Sequence, residues 1–279
     1  VDEAVKQKLS KLMFEGPEED LTLTENAQPA LMAVSLACVR VLQKEGGVNF
    51  AADAQFVAGH SLGEYSALAA AGTFALADTA RLLKTRGQAM QAAVPVGEGA
   101  MAAVMGLEPE VVAAVAEEAA GDGVCTAAND NAPGQVVVSG DTAAVGRAIE
   151  IAQSRGAKRA ILLPVSAPFH CVLMAPAADV MASALATVSM SPVTVPLIAN
   201  VTADEVIETS EIRRLLVEQV TGMVRWRECV LSMKDRGVDQ LVEIGAGKVL
   251  SGLARRIDKE LGATSVGTPE SIEEFLKDL

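Results

Sequence analysis

Segments with helical spacing of apolar residues alternate along the chain with short, nearly continuous apolar runs, and the rhythm changes once. A first helix ends at Gly16-Pro17, and Thr24-Glu25-Asn26 opens a long one that runs to about Lys44 with Pro29 in its first turn. Gln55–Ala58 predicts a short buried strand leading straight into Gly59-His60-Ser61-Leu62-Gly63, followed by helices over Gly63–Ala71 and from Asp78 to about Ala93. Past Pro95 the pattern becomes strand Met101–Met105, helix Pro109–Ala119, strand Val124–Ala128, a turn over Asn129–Gly134, strand Gln135–Ser139, helix Thr142–Ser154 and strand Arg159–Leu163. That β-α-β-β-α-β order is the split pattern of a ferredoxin-like unit, expected as an insertion over residues 96–166. After Pro164 come strand Val195–Asn200, helices Ser210–Thr221 and Trp226–Arg236, strand Gln240–Ile244, helix Gly247–Ile257 and strand Thr264–Val266. Helices alternating with short apolar strands imply a mainly parallel sheet covered on both faces. The expected fold class is α/β, a body of residues 1–95 and 167–279 carrying a smaller α+β insert.

Composition narrows the class. With 279 residues, 50% of them hydrophobic and 21% charged, the chain suits one large domain or a domain carrying a second, and it can bury a core without disulfides or metals. The most apolar stretches, Ala30–Leu42 and Ala67–Ala77, are interrupted by Ser, Arg, Gly and Thr and fall short of the roughly 18 residues a membrane helix needs. No signal peptide is expected from Val1-Asp2-Glu3-Ala4-Val5-Lys6, and because Val1 is not Met the natural N-terminus is expected to lie upstream. A net charge of −13 speaks against nucleic acid as a partner. Cys38, Cys125, Cys171 and Cys229 are scattered, no Cys-x-x-Cys occurs, and there are two histidines, so no metal site is expected and a reducing cytoplasm fits.

Candidate chemistry centres on Gly59-His60-Ser61-Leu62-Gly63, a Gly-x-Ser-x-Gly pattern between a predicted strand and a predicted helix. Glycines would let strand and helix approach, lifting the Ser61 hydroxyl to a helix N-terminus with the Leu62 N–H as oxyanion donor. The competing reading is a chance five-residue match. A serine nucleophile needs a base. His60 adjoins Ser61 and should diverge from it, so His170, in Ala167-Pro168-Phe169-His170, is favoured by elimination. Cys171 is a rival nucleophile, though a buried thiol is the commoner case. An α/β-hydrolase order fits poorly, because more than a third of the chain follows His170.

Two polar residues interrupt apolar stripes. Arg86 falls in the arc of Leu82, Leu83, Ala89 and Met90, where it either pairs with a buried carboxylate or awaits an anionic ligand. Gln219 shares a face with Ile212, Leu215 and Leu216, as a satisfied core amide or a neighbour of the catalytic pair. Glu243-Ile244-Gly245-Ala246-Gly247 fails the dinucleotide fingerprint at Leu250 and reads as a packing turn.

Together these stretches closely resemble the malonyl-CoA:acyl carrier protein transacylases of fatty acid synthesis. The resemblance runs through Phe14-Glu15-Gly16-Pro17-Glu18-Glu19, Thr24–Ala30, Gly59–Tyr65, Arg86–Gln91, Pro133–Gly140, Ala167–His170, Gln219 ahead of Val224-Arg225-Trp226, and Glu243–Leu250. It implies Ser61 as nucleophile, His170 as base, Gln219 fixing that histidine through its backbone carbonyl, and Arg86 clamping the malonyl carboxylate. It also implies a hydrolase-like body with a ferredoxin-like insert and ping-pong transfer from malonyl-CoA to the phosphopantetheine thiol of acyl carrier protein. No cofactor is expected, and the chain is expected to be a cytoplasmic monomer. The family opens with a strand and a Gly-Gln-Gly-Ser-Gln loop that supplies an oxyanion donor. This sequence shows no such segment: either it lies upstream of the given sequence, or the chain is short of one donor, a loss worth on the order of 3 kcal/mol. Two rivals stand beside this reading: a serine esterase or thioesterase, which would not need Arg86, and a non-catalytic carrier-binding module. Docking an acidic carrier onto an acidic body calls for a local basic patch, with Lys158/Arg159 and Arg255/Arg256 as candidates or as plain solvated surface.

Overall fold

The first 22 residues fold as three short helices, α1 (Asp2–Val5), α2 (Leu9–Glu15) and α3 (Glu18–Thr22), with a cis Gly16-Pro17 bond between the last two. A computed structural model describes residues 1–165, 167–277 and 279; Ser166, the last residue of the expected insert, lies outside the described residues. Helix α4 (Thr24–Lys44) has the expected bounds. Leu23 caps it, its carbonyl taking the Asn26 and Ala27 N–H groups, so Pro29 sits in the second turn rather than the first. There its missing N–H deprives the Glu25 carbonyl of a helical donor. Then follow α5 (Phe50–Asp53), β1 (Val57–Ala58), α6 (Gly63–Ala70) and α7 (Leu76–Ala93). Helices α4 and α7 meet at Gly87, where a Cβ would lie 2.5 Å from Glu25 Cα. That contact brings the side chains of α4 up to Arg86.

The next unit comprises β2 (Gly99–Met105), α8 (Pro109–Ala120), β3 (Cys125–Ala132), β4 (Gln135–Asp141), α9 (Thr142–Ser154) and β5 (Arg159–Leu162). Its strands form an antiparallel sheet in the order β3-β4-β2-β5, and Val112, Val115, Ala116, Ala144, Val145 and Ala148 give it a core of its own. The turn expected over Asn129–Gly134 shrinks, because β3 continues through Asn129 and Asp130 to Ala132. Bulges after Ala127 and Asp130 absorb the poor strand formers, and hydrogen bonds from Asp130 N–H to the Val224 carbonyl and from Val224 N–H to the Ala128 carbonyl (both 2.9 Å) hold them.

The rest comprises a 3-10 turn (Val172–Met174), α10 (Ala175–Thr187), β6 (Leu197–Ile198), β7 (Glu205–Val206), α11 (Thr209–Glu218), α12 (Trp226–Asp235), β8 (Gln240–Ile244), α13 (Val249–Ile257), β9 (Gly262–Val266) and α14 (Pro269–Lys277). Helix α10, unassigned by the sequence pattern, buries Ala177, Met181 and Leu185 at four-residue spacing. The fold is mixed α/β. Outside the antiparallel unit, β1–β6 and β8–β9 pair in parallel and β6–β7 antiparallel, as two separate small sheets among the described residues. The strand expected over Val195–Asn200 shortens to Leu197–Ile198, leaving Asn200 free of the ladder beside Ser61. Among the described residues no helix is long and apolar enough to cross a membrane, and no group of three or more His, Cys, Asp or Glu could hold a metal.

Candidate active site

The turn from β1 into α6 is tight enough to put Ser61 at φ 53°, a left-handed value that costs a non-glycine residue free energy. A Cβ on Gly59 would lie 2.0 Å from the Gly63 carbonyl carbon, so the approach of strand and helix requires glycine there. Gly63 does not share that requirement, since a Cβ at Gly63 meets nothing within 4 Å. The serine backbone is held on both sides. Its N–H donates to Asn200 Oδ1 at 2.8 Å, and its carbonyl accepts from Gln219 Nε2 at 2.9 Å. Leu62 caps α6, and its N–H has no acceptor among the described residues.

His170 takes a left-handed backbone too, at φ 58°. Its Nε2 lies 2.8 Å from Ser61 Oγ and its Nδ1 2.8 Å from the Gln219 backbone carbonyl. A carbonyl can only accept, so the ring proton sits on Nδ1 and the Nε2 lone pair faces the serine hydroxyl. Burial pushes His170 down to about 3, and the charge of Arg86 adds to the effect, so the ring is neutral at neutral pH. His60 turns away from Ser61: its Nε2 is 2.8 Å from Asn131 Oδ1 and its ring lies 5.7 Å from that of Trp226. Cys171 is buried, donates to the Pro168 carbonyl at 3.1 Å, and has its thiol pKa raised by burial, the opposite of an activated nucleophile.

Arg86 is 1% exposed. Its guanidinium donates from Nη1 to Gln28 Oε1 (2.8 Å) and from Nη2 to Gln219 Oε1 (2.8 Å) and Ser61 Oγ (3.1 Å), while Nε–H finds no acceptor among the described residues. All three acceptors are uncharged. The structure thus brings Ser61, Leu62, Arg86, His170 and Gln219 to one place from four separate stretches of chain.

The acyl transferase domain family matches residues 1–268. Malonyl CoA-acyl carrier protein transacylase of Bacillus subtilis (strain 168) is 45% identical over 273 residues, 98% of this chain and 84% of the relative. The crystal structure of acyl-carrier-protein-S-malonyltransferase from Bartonella henselae superposes with a TM-score of 0.96 at 57% identity, covering 99% of this chain and 88% of that one. The chain belongs to the malonyl CoA-acyl carrier protein transacylase family. A malonyl-transacylase solved in complex with a type II PKS acyl-carrier protein is 41% identical, with a TM-score of 0.96 over 100% of this chain and 89% of that one.

Within this transacylase family fold, three residues touch the site that sequence reasoning left without a role: Gln28, Glu64 and Asn200. Glu64 had a readable signal. It shares a helical face with Ala67, Leu68 and Ala71, all buried, which is the argument that isolates Arg86. Asn200 follows a two-residue strand and carries no periodic signal. The Gly245-Ala246-Gly247 turn is a packing element, as the Glu243 carboxylate accepts the N–H groups of Leu250 (3.0 Å) and Ser251 (2.8 Å) and so fills the N-terminus of α13 with its own anion. Of the two basic pairs, Lys158, Arg159 and Arg256 share one strand end, since Met105 pairs with Arg159 on one side and Gln135 on the other, Lys158 N–H donates to the Met105 carbonyl, and Arg256 donates to Gln135 Oε1, whereas Arg255 donates to the Ala263 carbonyl at 2.6 Å.

Proposed function

We propose that this chain moves a malonyl group from malonyl-CoA to the phosphopantetheine thiol of an acyl carrier protein by way of a malonyl ester on Ser61. One observation carries the reading. Ser61 Oγ lies at once 2.8 Å from a lone-pair nitrogen of His170 and 3.1 Å from a buried guanidinium whose other partners are neutral amides. A serine and a base suit any esterase; a buried cation beside them suits an acyl group that ends in a carboxylate.

In the first half-reaction Ser61 Oγ attacks the thioester carbonyl as its proton passes to His170 Nε2. The Gln219 carbonyl, accepting from Nδ1–H, stabilises the imidazolium that forms, in the place of a triad carboxylate. The Leu62 N–H faces the oxyanion, and Arg86 holds the malonyl carboxylate. Collapse breaks the C–S bond, and the departing thiolate takes the proton from Nε2–H. In the second half-reaction the carrier thiol attacks the serine ester, its proton goes to Nε2, and Ser61 leaves with that proton restored. No cofactor enters either half.

The same reading takes residues 1–95 and 167–279 as a hydrolase-like catalytic body and 96–166 as a ferredoxin-like subdomain. The strand order β3-β4-β2-β5, with one helix in each crossover, supports the second assignment. Lys158, Arg159 and Arg256 offer an acidic carrier protein a basic landing near His60, because Gln135 pairs with Ala132, the neighbour of Asn131. A monomer in the cytoplasm completes the proposal, and four buried, unpaired cysteines support a reducing compartment. Intact-mass analysis after incubation with malonyl-CoA tests it: one malonyl adduct is expected on the wild type and none on Ser61→Ala. A wild type without adduct would favour a binding module, and an adduct that only water discharges would favour a thioesterase.

A further inference from the structure

Glu64, on α6, is 1% exposed, yet no cation touches its carboxylate among the described residues. Oε1 accepts the Asn200 N–H at 2.6 Å and Oε2 accepts from Gln219 Nε2. Each donor has a second task at the nucleophile. Asn200 holds the Ser61 N–H (2.8 Å) through Oδ1 and the Gly59 carbonyl (2.9 Å) through Nδ2. Gln219 holds the Ser61 carbonyl (2.9 Å), takes an Arg86 N–H on Oε1 (2.8 Å) and takes His170 Nδ1–H on its backbone carbonyl (2.8 Å). The nucleophile turn, the base and the cation therefore meet at one carboxylate, each through a single intervening residue. One amide separates Glu64 from Arg86, close enough for their charges to act on each other in a dry interior.

We propose that Glu64 is a positioning residue of the transfer reaction: through Asn200 and Gln219 it fixes the Ser61 turn and the Arg86 guanidinium, and its charge opposes the grip of Arg86 on the acyl carboxylate. The inference rests on the malonyl transfer reading above. With Glu64 ionised, the empty pocket is neutral; with Glu64 neutral, the pocket carries one net positive charge and holds an anionic acyl group more tightly. Burial pushes the Glu64 carboxyl up to about 8, against the lowering effect of its two donors and Arg86, so both charge states are reached between pH 7 and 9. The other groups facing it keep their charge across that range. Arg86 stays cationic; Tyr65 is pushed up to about 12, the Cys229 thiol is raised by burial, and His60 and His170 are both lowered and neutral.

Glu64→Gln keeps the shape, removes the charge, and sets an NH2 group against one of the two N–H donors, breaking that bond. The measurement is the rate of Ser61 acylation by malonyl-CoA and by acetyl-CoA, read by intact mass against concentration at pH 7 and pH 9. The wild type is expected to show half-saturation by malonyl-CoA rising about threefold to tenfold between pH 7 and 9, the size a counter-charge one amide away supports. Glu64→Gln is expected to acylate about tenfold more slowly with both substrates, with a low malonyl half-saturation that no longer depends on pH and an acetyl half-saturation like the wild type. Equal losses for both substrates with unchanged half-saturation, or wild-type behaviour throughout, would overturn the proposal. If Glu64→Gln does not fold, Glu64→Asp decides: it keeps the charge and withdraws it by about 1.5 Å, so acylation should slow while malonyl half-saturation still rises with pH. Loss of that rise would overturn the proposal equally. A wild type that forms no adduct refutes the transfer reading instead, which keeps the two failures apart.

Discussion

Replacing Arg86 with alanine separates selectivity from general catalysis. A carboxylate about 4 Å from a guanidinium gains about 4 kcal/mol at an effective dielectric near 20. Desolvation of the two ions returns part of that, and hydrogen bonds to charged groups are worth about 1.5–3 kcal/mol net. The loss expected for malonyl-CoA is thus about 2–3 kcal/mol, a fall of about 30- to 150-fold in kcat/KM. An uncharged acyl-CoA loses none of it. The substitution also strips Gln28 Oε1 and Gln219 Oε1 of a donor, which costs stability and disturbs both substrates alike. The assay is therefore the ratio of kcat/KM for malonyl-CoA to that for acetyl-CoA, in which the shared loss cancels. Arg86 lowers His170 as well, so its removal should move the acidic limb of the acylation rate to higher pH. A malonyl-to-acetyl ratio equal to that of the wild type would refute the clamp, whatever happened to the absolute rates.

Two further outcomes follow from groups already described. His170 titrates near 6.5 when unfolded and about 3 when folded, so the unfolded chain binds the extra proton first; stability is full above pH 6.5 and falls as pH drops toward 3. At pH 5 the loss is about 2 kcal/mol, and urea midpoints at pH 5 and 7 should show a larger drop for the wild type than for His170→Gln; equal drops would refute the shift. Charge reversal at Lys158 and Arg159 should raise KM for an acidic carrier protein about tenfold at low salt, with the difference closing as salt rises, while unchanged KM and salt slope would remove this patch from docking.

Where a signal was local, the sequence resolved it. Thr142–Ser154 and Gln240–Ile244 are set by period and flanking residues, and their observed bounds match the expected ones. Strand β3 did not read through Asn129 and Asp130, because what makes them a strand is the Val224 backbone arriving from the body, a long-range contact that overrides propensity. Helix α10 escaped because its first turn carries Pro176 directly after the irregular His170 segment, and its alanine-rich run shows little contrast between faces. Ser61, Arg86 and His170 stood out in the sequence because each residue type was conspicuous at its position, and the structure brings the three together. Gln28 and Asn200 were not, because an uncharged amide near an apolar stripe has many bland explanations until its partner is seen.

The arrangement of charge explains why a carbonyl, not a carboxylate, orients the histidine. An anion bonded to Nδ1 would raise His170 and would also sit close to Arg86, drawing that guanidinium away from any acyl carboxylate. The Gln219 carbonyl fixes the same tautomer with no net charge. The carboxyl the pocket does contain, Glu64, stands behind the Gln219 amide, where its ionised form can tune Arg86 without pairing with it. His170 consequently remains a weak base while no acyl carboxylate meets Arg86, and an arriving carboxylate that neutralises Arg86 removes one of the three causes holding it down, the others being burial and His60. Binding of an anionic acyl group and activation of the base are then coupled through the same guanidinium, so an uncharged acyl-CoA forgoes both the clamp and the stronger base.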